Sequence, residues 1–135
     1  MVKISIRYEG SKHCLLTHGP SGSQIETDAP KDNHGKGERF SPTDLVAAAL
    51  GSCILTTMAI VADRDGVVLE GSTAEVEKEM VSEPTRRIGA LHCKVRVPKS
   101  VPQDYRAKLE RVAHSCPVHK SLHPDVKLPI SFEYV

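Results

Sequence analysis

Two cysteines occupy positions from which sulfur chemistry could be run. Cys53 lies inside an uncharged stretch, Leu45 to Ala62, and Cys116 lies in His114-Ser-Cys-Pro-Val-His119. A thiol is a nucleophile only as its thiolate, which needs a nearby cation or hydrogen-bond donor. The stretch around Cys53 cannot supply one. Asp44 precedes it by nine residues, roughly 180° round and about 13 Å along a helix, and a carboxylate would disfavour the thiolate in any case. The activator must come from another segment or a second subunit, and Arg39 and Arg7 are the candidates. Taken singly, a free cysteine is more often a small core residue than a reactive one. Cys14 and Cys93 fall in strand patterns and read as packing residues. His119 and His123 beside Cys116 invite a metal reading, but the spacing lacks the paired Cys-x-x-Cys of a structural zinc site. His13, His18 and His34 show no ligand spacing. There is no phosphate loop, Gly-x-Ser-x-Gly elbow or His-Glu-x-x-His helix.

The element that must position Cys53 is a long helix. Ser41 can cap it, Pro42 suits its first position, and Asp44 completes a near capping box. Gly66 is the expected left-handed stop after Asp63-Arg-Asp65. Apolar residues from Leu45 to Val61 cover all sides, which predicts a helix buried all round. The run is at the lower length limit for a membrane span. Gly51, Ser52, Cys53, Thr56 and Thr57 dilute it and no basic cluster flanks it, so a core helix is the better reading. A chain of 135 residues has little material to wrap such a helix, so a homodimer is expected, with Cys53 near its interface.

Ahead of this helix, Val2, Ile4, Ile6 and Tyr8 alternate with polar residues as a half-buried strand. Strands at His13–His18 and Gln24–Asp28 follow, with no catalytic spacing among them. A polar loop, 28–40, carries Glu38 and Arg39 up to the helix, and loops of this kind often hold binding residues. Beyond Gly66, residues 67–97 read as a long hairpin with one phase change between His92 and Cys93. Tyr105, Leu109, Val112, Ala113 and Cys116 share a helical face, and Pro117 ends that helix at Cys116. Val126 to Tyr134 alternates as a last strand. The pattern is α+β in a single domain, residues 1–135, with antiparallel strands and two principal helices.

Lysine and arginine number 18 against 17 aspartates and glutamates, and tryptophan is absent. Neither a basic footprint nor a stacking platform for nucleic acid is present. No charged-then-apolar leader opens the chain, so the expected compartment is the cytoplasm, where cysteines stay mostly reduced.

Phe40-Ser-Pro-Thr-Asp-Leu-Val-Ala-Ala-Ala-Leu-Gly-Ser-Cys53, followed by Ala113-His-Ser-Cys-Pro-Val118, resembles the OsmC/Ohr family of osmotically inducible and organic hydroperoxide resistance proteins. The resemblance implies an intertwined α+β homodimer with antiparallel sheets packed around long central helices. It implies a thiol-dependent peroxidase that reduces organic hydroperoxides, and in some members hydrogen peroxide. By position, Cys53 matches the peroxidatic cysteine and Cys116 the resolving one, and Arg39 lies near the region of the family's activating arginine. No cofactor, metal, nucleic acid or membrane is implied. The reductant is a thiol, of dihydrolipoyl type in the Ohr branch. Peroxidase branches commonly carry glutamate directly after the helix-starting proline, where this chain has Thr43 and places its acid at Asp44. That departure motivates an alternative, a non-enzymatic member of the fold that binds a small apolar ligand at the dimer interface.

Overall fold

The computed structural model describes residues 1–135, which divide into two compact units, Met1–Val46 and Ala47–Val135. The first unit is a three-stranded antiparallel meander, β1 (Ile4–Gly10), β2 (His13–His18) and β3 (Gln24–Asp28), in that spatial order. The three strands lie where the alternation predicts them. Their apolar face does not lie as predicted: Ile4, Ile6 and Tyr8 are 56%, 61% and 65% exposed, and Ile25 is 50% exposed. Three strands give an apolar sheet face nothing to bury against unless another layer covers it. The loop after β3 makes one 3₁₀ turn at Lys31–Asn33 and returns to the sheet, with the Asp28 amide donating to the Phe40 carbonyl at 3.1 Å.

Helix α1, Pro42–Arg64, begins at the end of the first unit and supplies the opening of the second. Its start is a true capping box. The Asp44 amide donates to Ser41 Oγ at 3.1 Å, and the Ser41 amide donates to Asp44 Oδ2 at 2.9 Å. Two of the amides that a helix start leaves without intrahelical partners are thus satisfied reciprocally. The stop is also as expected. Gly66 sits at φ +70, the Val67 amide donates to the Ala62 carbonyl at 2.8 Å, and the Gly66 amide reaches Asp63. This is a Schellman motif.

The helix is not buried all round within the chain. Ala47, Leu50, Gly51, Ile54, Met58 and Ala62 are buried, a single stripe at i, i+3/i+4 spacing, whereas Ile60 is 49% exposed. By length and composition α1 could cross a membrane, and one third (33%) of its most apolar 18-residue window is buried. The buried stripe faces a second sheet. Gly51 is required there, because a Cβ would stand 3.0 Å from Val76 Cγ2 and 3.7 Å from Ala74 Cβ.

That sheet is β4 (Thr73–Val81), β5 (Arg87–Val97) and β6 (Ile130–Tyr134), with β5 central. Strand β4 starts later than the expected Val67, because Leu69–Ser72 forms a turn closed by the Ser72 amide and hydroxyl on the Leu69 carbonyl. The expected phase change is real but lies at Gly89, the extra residue of a bulge between the pairs Glu79–Ala90 and Met80–Ile88. Leu91, Cys93, Val95 and Val97 then share the buried face, and His92 turns outward to Glu79 at 2.9 Å. The architecture is α+β, as predicted. One pairing differs from the all-antiparallel expectation: β6 runs parallel to β5, from Cys93–Ile130 to Val97–Tyr134. The segment between them, with α2 (Gln103–Ala113) and α3 (Pro117–Ser121), is the crossover that a parallel pair requires.

Candidate active site: a thiol pair at the central helix

Cys53 sits at the middle of α1, half-buried, one residue short of the fully buried Ile54. The Thr57 hydroxyl, one turn on, lies 4.0 Å from its sulfur. Cys116 is fully buried and ends the face made by Leu109 and Ala113, which are also fully buried. Helix α2 stops at Ala113, short of the predicted end at Cys116, and Pro117 keeps Cys116 out of the helical path. Cys116 takes an extended conformation (φ −63, ψ 143) and becomes the N-cap of α3, its sulfur accepting the His119 amide at 3.3 Å.

The two thiols are close enough to act on each other. Burial pushes the Cys116 thiol up, and the neighbouring Cys53 adds to the rise, while the His119 and Val118 amides work against it. Cys116 is therefore held as the neutral thiol. Cys53 is the member of the pair that solvent, and a dissolved electrophile, can reach. All four cysteines are free thiols, so the pair stands ready to be joined.

A third sulfur was missed from the sequence as part of this group. Cys93 is buried on β5, its thiol pushed up to about 11, first by burial and then by Cys116 nearby. Its strand pattern gave the right location but nothing that tied it to residue 116. The imidazoles flanking Cys116 do not gather on the sulfur. The His119 ring stacks edge-on with His114 at 5.6 Å, and burial pushes its pKa down. His123 Nδ1 accepts the Asp125 amide at 3.1 Å.

Arg39 belongs to the first unit. Its Nε donates to Glu26 Oε2 at 3.1 Å and its Nη1 to the Glu38 carbonyl at 3.1 Å. Arg7 pairs with Glu9 at 3.0 Å. Thr43 Oγ1 lies 3.2 Å from Ser41 Oγ, and Asp44 is engaged in the capping box. The network around Glu26 was also missed. His13 Nδ1 is 2.6 Å from Asp28 Oδ1, and its Nε2 is 3.2 Å from Glu26. The signal lay in the strand register, since His13 and Asp28 stand directly opposite on β2 and β3.

The OsmC-like protein family matches residues 35–131, a span that includes both Cys53 and Cys116. The chain belongs to the OsmC-like family. Among solved structures, a Psychrobacter arcticus 273-4 protein, provisionally described as an osmotic stress induced and detoxification response protein, is 38% identical. That likeness covers 98% of this chain and 96% of the other, with a TM-score of 0.92. The organic hydroperoxide resistance protein OsmC of Legionella pneumophila shares the OsmC-like fold at 17% identity, covering 100% and 97% of the two chains, TM-score 0.80. The organic hydroperoxide resistance protein OhrB of Bacillus subtilis shares it at 18% identity, covering 98% of each, TM-score 0.74. No curated protein matches the chain in sequence.

Proposed function

We propose that this OsmC-like protein is a thiol-dependent peroxidase acting on organic hydroperoxides, with Cys53 as the attacking thiolate and Cys116 as the resolving thiol. One observation supports the reading: a half-buried cysteine on α1 and a fully buried one at the α2–α3 break are neighbours, close enough for Cys53 to raise the Cys116 thiol. The Cys53 sulfur attacks the distal peroxide oxygen, the O–O bond breaks, and an alcohol leaves with Cys53 as the sulfenic acid. The Cys116 sulfur then displaces the sulfenic hydroxyl. Its proton leaves with that hydroxyl as water, and a Cys53–Cys116 disulfide remains. An external dithiol of dihydrolipoyl type restores both thiols by exchange. Arg39 is the candidate cation for holding the Cys53 thiolate.

The working unit in this reading is a homodimer. The exposed Ile4, Ile6 and Tyr8 face and the uncovered side of α1 support it, because apolar surface of this extent normally meets a partner.

The test is consumption of cumene hydroperoxide by reduced protein with a dithiol, followed by peptide mapping of the oxidised product. Turnover with a Cys53–Cys116 linkage supports the reading. No turnover, with both thiols still free after oxidant, removes it. The second reading, a non-enzymatic binder of a small apolar ligand, draws on Thr43 at the position after Pro42 and on Asp44 being used in the cap. It expects ligand-dependent stabilisation without peroxide consumption.

A further inference from the structure

Within the first unit, three donor groups converge on the sheet. Glu9 on β1, His13 on β2 and Glu26 on β3 bring His13 Nε2 and one carboxylate oxygen each to within 4.8 Å of one another. Nε2 lies 3.2 Å from Glu26 Oε1 and 3.8 Å from Glu9 Oε1. Nitrogen and oxygen ligands at zinc distances sit roughly 3.4 Å apart around a tetrahedral ion, and the two observed separations bracket that value. We propose that Glu9, His13 and Glu26 form a three-ligand site for a divalent cation, zinc in the first place, with its fourth position open to water.

Three features of the surroundings prepare these ligands. The first is the imidazole's other nitrogen. Nδ1 is held 2.6 Å from Asp28 Oδ1, and Asp28 is only 4% exposed and is fixed in turn by the Glu38 amide at 3.1 Å. A carboxylate on the far nitrogen sets the ring's orientation and the tautomer that presents Nε2 to a metal. The second is the pair of arginines. Arg7 binds Glu9 Oε2 at 3.0 Å and Arg39 binds Glu26 Oε2 at 3.1 Å. Each leaves its glutamate's Oε1 turned toward His13. The third is a bulge at the end of β1, where the register jumps from Tyr8–Cys14 to Gly10–His13 and leaves Glu9 as the extra residue. Bulges re-aim side chains, and this one sets Glu9 beside the ring of His13.

Charge and access agree with a cation. Glu9, Glu26 and Asp28 outnumber Arg7 and Arg39 by one negative charge, and His13 keeps 25% of its side chain exposed. The donor set is imidazole plus carboxylate with no thiolate, which suits zinc, cobalt or manganese and not a soft ion. A bound ion would tie all three strands of the sheet together, so binding would raise the melting temperature as well as the zinc content.

The experiment titrates Zn2+ into Cys53→Ser/Cys116→Ser protein, so that the thiol pair cannot compete for the metal. Calorimetry, melting temperature and the Co2+ absorption spectrum are read together. The expected result is one ion per chain, a raised melting temperature, and a cobalt spectrum without a sulfur-to-metal charge-transfer band. His13→Gln should abolish binding, and Glu9→Gln, which keeps the shape, should weaken it at least about tenfold. Asp28→Asn should cost about 10–100-fold through the imidazole it orients. No saturable binding in this background would overturn the proposal. So would binding undiminished in His13→Gln or Glu9→Gln, or a cobalt spectrum dominated by sulfur.

Discussion

Around His13 each charge is met by another. Asp28 and Glu26 take the two ring nitrogens, Arg39 takes Glu26, and Arg7 takes Glu9. The ring is accordingly pushed up in pKa, mainly by Asp28, and Glu26 and Asp28 are pushed down, mainly by Arg39 and by His13 respectively. Around Cys116 no opposite charge acts on the sulfur. Apolar burial is the largest influence, and the sulfur is met only by two amides and another thiol. The first region meets charge with charge. The second withholds solvation from a thiol and thereby keeps it neutral. The same fold thus separates a charged set of side chains from a pair of sulfurs by environment rather than by residue type.

The largest effect that would sharpen this contrast is on turnover. Cys53→Ser should reduce hydroperoxide consumption to the uncatalysed background, because no other exposed thiol stands beside Cys116. Cys116→Ser should leave a single stoichiometric reaction and then stall, with Cys53 labelled by a sulfenic-acid trap such as dimedone. If Cys116→Ser cycles at the wild-type rate with the dithiol, the buried thiol is not the resolving group. Arg39→Ala should slow the first oxidation; an unchanged rate would leave Arg39 to its bond with Glu26 alone.

The next effect concerns the floor on which the thiols stand. Ile54 follows Cys53 and is fully buried. Ile54→Ala should cost about 2–5 kcal/mol in denaturant unfolding, from lost transfer energy plus the cavity. Ile60, on the exposed side of α1 at 49%, gives the matching control. In a monomer Ile60→Ala should be nearly silent, whereas in a homodimer burying that side it should weaken association and make the melting temperature depend more steeply on protein concentration. Ser41→Ala comes lower, at about 0.5–2 kcal/mol for the lost cap. A loss well outside that range would mean the capping box does more than start the helix.

Much of the fold was legible because local chemistry and tertiary demand agree. Ser41, Pro42 and Asp44 say where α1 begins, Gly66 where it ends, and Pro117 why Cys116 leaves the helical path. The face of α1 that is covered was not legible, because an all-round apolar helix gives no preferred stripe and the chain alone covers only one. The direction of β6 was missed for a related reason. Alternation of Ile130, Phe132 and Tyr134 marks a strand but carries no information on whether its neighbour runs parallel. Of the candidate site, the motifs around Cys53 and Cys116 were readable one by one, and their meeting was not, since contact across that sequence separation depends on packing. The His13–Asp28 pair was hidden likewise, as only the register of β2 against β3 places them opposite.

Cys93 provides the smallest effect and the strictest comparison. It shares the thiol chemistry of Cys53 and the burial of Cys116, yet the proposed reaction does not use it. Its thiol is pushed up to about 11, so at pH 8 about one molecule in a thousand carries the thiolate, and that one is buried. Cys93→Ala should leave hydroperoxide turnover unchanged, with a stability cost on the order of 1 kcal/mol for one buried atom. Its pH signature is more telling. An unfolded cysteine ionises before the folded one does, so from about pH 9 up to about 11 the folded state holds the extra proton and stability falls as pH rises. Cys93→Ala should flatten part of that alkaline loss while behaving like wild type at pH 7. If the variant instead slows turnover, or if Cys93 alkylates in native protein at pH 8 as fast as Cys53, the third sulfur takes part in the redox exchange and the division between a reactive pair and a packing thiol fails.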